Sequence, residues 1–163
     1  MSLPAYLFLY DTNGVQIKGD CSLLMREGAI EIMSSQHNIS QSADAYTGRL
    51  TGTRMHDAYT LHKQIDKTSP LLNNAACTGQ VFLKAEIRYY AINSAGIEYE
   101  TYRITMERVV VTYVAFSHAY IPGAITPNML EIIGLRYNKI EWHYVTGNIK
   151  YEDSWLSSSE ANK

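Results

Sequence analysis

Charge, cysteine and long apolar runs are all scarce in this 163-residue chain. Lys and Arg number 14 against 16 Asp and Glu, a net charge of -2. No basic excess is available to neutralise a phosphate backbone, so global electrostatics exclude nucleic acid as a partner. The longest apolar runs, such as Val109-Val110-Val111, fall far short of the roughly 20 residues a spanning helix needs, so no membrane insertion is expected. Cys21 and Cys77 make neither a CxxC pair nor a disulfide framework, which favours a reducing, cytosolic origin. The first charge of the N-terminal region is the acidic Asp11, so no cleaved secretory leader is expected. GxGxxG, Walker, GxSxG and HExxH patterns are all missing, and no catalytic role is expected.

What is present is apolar and tyrosine-rich. Hydrophobic residues make up 46% of the chain, enough to exclude wholesale disorder, and the length suits one domain. Charged residues are only 18%, below the roughly 25% of an ordinary globular domain. Tyr accounts for 13 residues against 3 Phe and 2 Trp, so most of the aromatic surface carries a hydroxyl. Tyrosine suits interfaces because its body is apolar and its tip can stay wet. It also suits strands. Few charges and many tyrosines are compatible with a surface covered by another chain.

Alternation of period two dominates the pattern. Val81, Leu83, Ala85, Ile87, Tyr89 and Ala91 alternate with Lys84, Glu86 and Arg88, as in a half-buried strand. Asn93-Ser94-Ala95-Gly96 marks a turn, and Ile97–Met106 returns with a change of apolar parity that predicts a bulge or a strand crossing. Val109–Phe116, Leu130–Tyr137, Ile140–Tyr144, Tyr6–Tyr10, Ala29–Met33 and Tyr59–Ile65 complete the strand candidates. One short helix is predicted over 69–79, with Ser69 as N-cap, Pro70 at the first helical position and Gly79 as left-handed terminator. The stretch 34–57 is polar, patternless and long for a compact domain. One domain over 1–151 and a flexible tail over 152–163 follow, built as an all-β, mainly antiparallel sandwich or barrel.

Two side-chain sets resemble chemistry and fail on spacing or context. His56 and His62, with Asp57 nearby, would share a strand face, but about 20 Å of strand separates them and no single ion spans that. Glu98 and Glu100 have a separation compatible with paired glycosidase carboxylates, yet any exposed strand face looks the same. Arg49 and Arg54 flank Thr51-Gly52-Thr53 in the long loop, a cationic cluster suited to an acidic neighbour.

An ordered set of segments resembles the Hcp family, the secreted tube protein of bacterial type VI secretion systems. It comprises Arg26–Ile32, Gly48–His56, Lys63–Pro70 with Ala76 and Gly79, and Glu86 with Tyr89 and Tyr90. Gly96, Glu98 and Tyr99, then Leu135–Tyr137, Ile140–Trp142, Tyr144, Gly147–Ile149 and Asp153–Trp155 complete it. The resemblance implies a two-sheet β-barrel with a flanking helix, and a homo-hexameric ring that stacks into a tube. Sheath proteins, a spike protein at the tube tip and effector cargo in the lumen would be the other partners, with no enzyme activity and no cofactor or metal. The chain would be cytoplasmic before assembly and then secreted to the outside or into a target cell. The long loop 34–57 would protrude and make the inter-ring contact, with Tyr46, Arg49, Arg54 and His56 as the residues involved. A phage-like tail tube protein and a monomeric ligand-binding β-barrel are the alternative readings of the same pattern.

Overall fold

The computed structural model describes residues 3–155. The chain runs through β1 (Ala5–Tyr10), β2 (Gln16–Ile17), β3 (Ile30–Ile32), β4 (Ser34–Gln36), β5 (Ile39–Ser40), β6 (Met55–His56) and β7 (Tyr59–Gln64). It continues through α1 (Ser69–Thr78), β8 (Val81–Ile92), β9 (Glu98–His118), β10 (Met129–Arg136), β11 (Lys139–Tyr144) and β12 (Ile149–Ser154). Every strand pairing is antiparallel, in the order β2-β1-β8-β9-β10-β7-β4, with β11 and then β12 added beside β9 and β3 beside β1.

The expected two-sheet barrel is therefore one ten-stranded sheet folded back on itself, and its ladder path is open. The crossing between its ends is made by a single segment. Ile30–Ile32 pairs with β1, Ser34–Gln36 pairs with β7, and the Met33 N–H between them donates to the His62 carbonyl at 2.8 Å. No direct β1–β7 ladder exists among the described residues.

β9 carries the turn from one layer to the other. Its first half pairs with β8 and β11, its second half with β10. The predicted parity change is a register shift between Tyr89 and Tyr90, where Thr101 is the extra residue. A second departure was not legible. The buried face moves by one residue on both β8 and β9, from Ala85 to Phe82 and from Met106 to Val109, while the pairing register is kept. Leu83, expected on the apolar face, is thrown outward to 47% exposure, and Arg108 opposite takes a left-handed φ of 52°. A face switch on both strands lets the ribbon coil without losing hydrogen bonds.

The core lies between the two layers and is filled by Leu7, Leu9, Leu61, Phe82, Ile87, Met106, Ile133, Leu135 and Ile140. Leu72 and Ala75 of α1 add to it, and the helix packs on β9. Gly79 terminates α1 as expected, in the left-handed conformation with φ 69°. The N-terminal cap differs by one residue: Thr68 holds that position, without a side-chain cap bond. The Ser69 hydroxyl is instead drawn inward, where it donates to Glu131 Oε1 at 2.7 Å. Residues 152–155, placed by the sequence in a flexible tail, belong to the fold. β12 continues through Ser154, and Trp155 donates its backbone N–H to Asn138 and its indole Nε1–H to the Tyr137 carbonyl at 2.7 Å. Residues 156–163 of that expected tail lie outside the described residues.

Candidate functional site: a projecting arm and its root

The stretch 34–57 is not a patternless loop. After β4 the chain forms a two-stranded arm: Ile39 pairs with His56, Ser40 with Met55, and Ala43 bridges Leu50. Thr51 N–H donates to Ser42 and Asp44 N–H to Arg49, so the ladder continues to the tip. Residues 38–53 are exposed apart from Asp44, which is half-buried. That exposure explains why periodicity missed the arm: with no buried face, nothing constrains its side chains to alternate.

The tip is preformed by Asp44. Its Oδ1 accepts from the Tyr46 N–H at 3.0 Å, the Thr47 N–H at 2.7 Å and the Thr47 hydroxyl at 2.9 Å. These bonds, those of Thr47 first, hold the Asp44 carboxyl below its ordinary pKa. Gly48 closes the turn at φ 69°, and its N–H donates to the Asp44 carbonyl. The tip presents Tyr46, 98% exposed, and Arg49.

Arg54 and His56, grouped by the sequence with Tyr46 and Arg49, sit at the other end of the arm and face inward. Arg54 grips Asp153 with Nε and Nη2, the latter at 2.6 Å from Oδ1, and also donates to the Ser154 carbonyl at 2.9 Å. His56 is buried. Its Nε2 lies 2.9 Å from Asp153 Oδ2 and its Nδ1 2.7 Å from the Tyr137 hydroxyl. That hydroxyl lies 2.7 Å from His37 Nε2 as well. All contacts are satisfied with both rings neutral when His56 donates from Nε2 to Asp153, Tyr137 donates to His56, and His37 donates to Tyr137. Trp155 packs edge-on against His56, and His37 stacks on Tyr59 with centroids 4.9 Å apart.

Burial acts to raise the Asp153 carboxyl, and the Arg54 bonds and charge with the nearby His56 overcome it, leaving its pKa below the ordinary range. Burial lowers the pKa of His37, and the neighbouring His56 lowers it further. A histidine whose folded pKa is depressed contributes stability that is present above its unfolded value of about 6.5 and lost as pH falls through it. Acidifying from pH 7 to pH 5 is therefore expected to loosen the arm root. Hydrogen exchange of the 38–57 amides, corrected for intrinsic pH dependence, checks this; a protection factor that rises on acidification contradicts it.

The other candidates are not brought together. Glu98 pairs with Arg26 and Glu100 with Arg103, each a separate ion pair. His56 and His62 lie on β6 and β7, not on one strand. Residue patterns alone missed Asp153, Tyr137 and His37 as the root; the Asp153-Ser154-Trp155 ending was the available signal.

The family described as "Type VI secretion system effector, Hcp" matches residues 6–144. The chain belongs to the Hcp family. The "Major exported protein" of Pseudomonas aeruginosa is 26% identical, over 96% of this chain and 98% of that protein. Hcp1 of the E. coli EAEC 042 pathovar is 39% identical, covers 94% of this chain and 99% of its own, and superposes with a TM-score of 0.82. Hcp1 of Salmonella typhimurium, 20% identical over 96% of this chain and 97% of its own, shares the fold with a TM-score of 0.75. As an Hcp protein, the chain is a secreted structural subunit of the type VI secretion tube.

Proposed function

We propose that this Hcp subunit assembles as a homo-hexameric ring, and that the arm joins one ring to the next through Tyr46 and Arg49. The observation that carries this reading is the arm itself. It is hydrogen-bonded to its tip and rooted by Arg54 and His56 in the C-terminal strand, yet residues 38–53 bury almost nothing against their own subunit. A rigid, exposed projection loses little conformational entropy on docking and offers contact area at its end. Arg54 and His56 are positioning residues: they fix the arm's angle and do not touch the next ring. Sheath, spike and effector cargo would meet the stacked tube, a role that requires surfaces and no catalysis.

Tubes multiply weak ring-to-ring contacts, so a modest interface per subunit suffices. Deleting Ala43–Leu50 tests the reading. The expected outcome is an unchanged ring, near six chain masses by light scattering at both low and high protein concentration, with loss of tubes by electron microscopy and of secretion. Tubes and secretion that survive the deletion sink the assignment. A concentration-independent monomer of the intact chain sinks spontaneous ring formation.

A further inference from the structure

We propose that a cleft at the end of the subunit opposite the arm receives the arm tip of the next ring, with Arg49 of the tip pairing with Glu31 of the cleft. The inference rests on the stacking role proposed for the arm and names its acceptor. The cleft has a volume of about 430 Å³ and opens between the N-terminal end of β1, strand β3 and the turn leading into α1. Leu3 and Met33, 64% and 46% exposed, form its apolar rim, with Cys21 and Glu31 among its lining residues. That volume lies within the range of clefts that hold ligand-sized groups, with room for a tyrosine side chain.

The two ends are fixed by strand register. Along β7 the arm enters just before Tyr59, while Gln64, Ile65 and Asp66 at the other end line the cleft. The crossing segment gives the same order, with Glu31, Ile32 and Met33 in the cleft wall and His37 at the arm root. The first layer agrees. Leu3 and Pro4 precede Ala5 at the cleft, whereas Tyr10 is level, through Lys84, Glu107 and Lys139, with Ser154, whose carbonyl Arg54 holds. A six-residue strand of about 17 Å separates the two ends. Head-to-tail stacking is heterologous and needs two different, complementary surfaces at opposite ends. The arm tip and the cleft meet that requirement.

Charge selects the pairing. Asp66 is held by Lys63, and Asp20 lies 3.4 Å from Lys67. Glu31 is exposed and makes no ion pair among the described residues, and neither does the Arg49 guanidinium at the tip. Tyr46 beside it supplies an amphipathic anchor of the kind that dominates protein interfaces.

Cys21 in the cleft serves as a reporter. In the full chain carrying Ala45→Cys, an exposed tip position beside the Tyr46 anchor, and Cys77→Ser, mild oxidation of concentrated protein is expected to yield a ladder of disulfide-linked chains on a non-reducing gel. Adding Cys21→Ser should abolish the ladder, and Met33→Cys in that background should restore it from another lining position. Disulfide formation requires Cα atoms within about 7 Å, so only a docked tip gives the product. In parallel, Arg49→Glu and Glu31→Arg should each reduce tube formation at low salt at least tenfold, and the double variant should recover most of it. If neither thiol cross-links and the double variant does not recover, while the arm deletion still abolishes tubes, the cleft assignment is overturned and the arm's stacking role stands. If the deletion leaves tubes intact, both fall.

Discussion

Replacing Lys63 with Met is expected to lower the unfolding free energy by about 3–5 kcal/mol, the range for breaking a buried ion pair from one side. Lys63 and Glu131 face each other across β7 and β10, with side chains 0% and 1% exposed. The Lys63 ammonium lies 2.5 Å from Glu131 Oε1, 2.8 Å from the Gln64 carbonyl and 3.0 Å from Asp66 Oδ1. Without it, the Glu131 carboxylate keeps a single donor, the Ser69 hydroxyl, and its Oε2 has no partner among the described residues. Replacing both residues, Lys63→Met with Glu131→Leu, should recover most of the loss, because the penalty comes from the stranded charge. Equilibrium denaturation of the three variants decides this. A single-variant loss below about 1 kcal/mol would mean that water reaches the pair and relieves it.

The same ammonium organises the entry to α1. Asp66 Oδ1, which it holds, accepts from the Thr68 N–H at 2.8 Å and the Thr68 hydroxyl at 2.5 Å. The Lys63 substitution should therefore also disturb the turn 64–66 that lines the cleft. Stability and stacking are expected to fall together in the single variant.

Replacing Asp153 with Ala removes one carboxylate from two cationic or potentially cationic partners at once. The expected cost is about 1.5–3 kcal/mol, the range for hydrogen bonds to charged groups. Its Arg54 and His56 partners do not recover equally. Arg54 is partly exposed and can turn to water, whereas the His56 side chain, 3% exposed, cannot. The buried Nε2–H left behind carries most of the penalty. Hydrogen exchange over 38–57 should rise well beyond the change in the core strands, and tubes should be lost although Tyr46 and Arg49 are untouched. Arm protection that tracks global stability alone would show that Asp153 contributes no specific anchor. Asp153→Asn, which keeps an acceptor, should fall between the two.

Strands, turns and helix were legible wherever one face is buried. The alternation at 84–91 and the Asn93–Gly96 turn found their places because side-chain parity follows a sheet with a dry side. The same rule explains the errors. Leu83 fits the apolar pattern, but its outward position depends on a face switch shared with a strand paired to it from elsewhere in the chain. Ser69 has the composition of an N-cap, yet a buried carboxylate on β10 competes for its hydroxyl and wins, because a carboxylate acceptor in a dry site outweighs a bond to a first-turn backbone N–H.

The arm divides in the same way. A projecting 34–57 was expected from its length and polarity together with the family resemblance, and the structure places Tyr46 and Arg49 at its tip. Arg54 and His56 belong to the same segment and resemble contact residues by type. Their inward direction is set by Asp153 and Tyr137, both far away along the chain, and no local pattern carries that information.

The sequence by itself determined the all-β class, the single helix and its stop at Gly79, and, through ordered motifs, the Hcp family. These depend on local propensity, periodicity and residue order, all of which a linear chain displays. The tertiary structure alone decided how the sheet folds over itself, which arginine of the arm is anchored at its root and which is exposed at its tip, and that arm and cleft lie at opposite ends. Each of those depends on pairing between distant segments, where register and burial set what a side chain can reach.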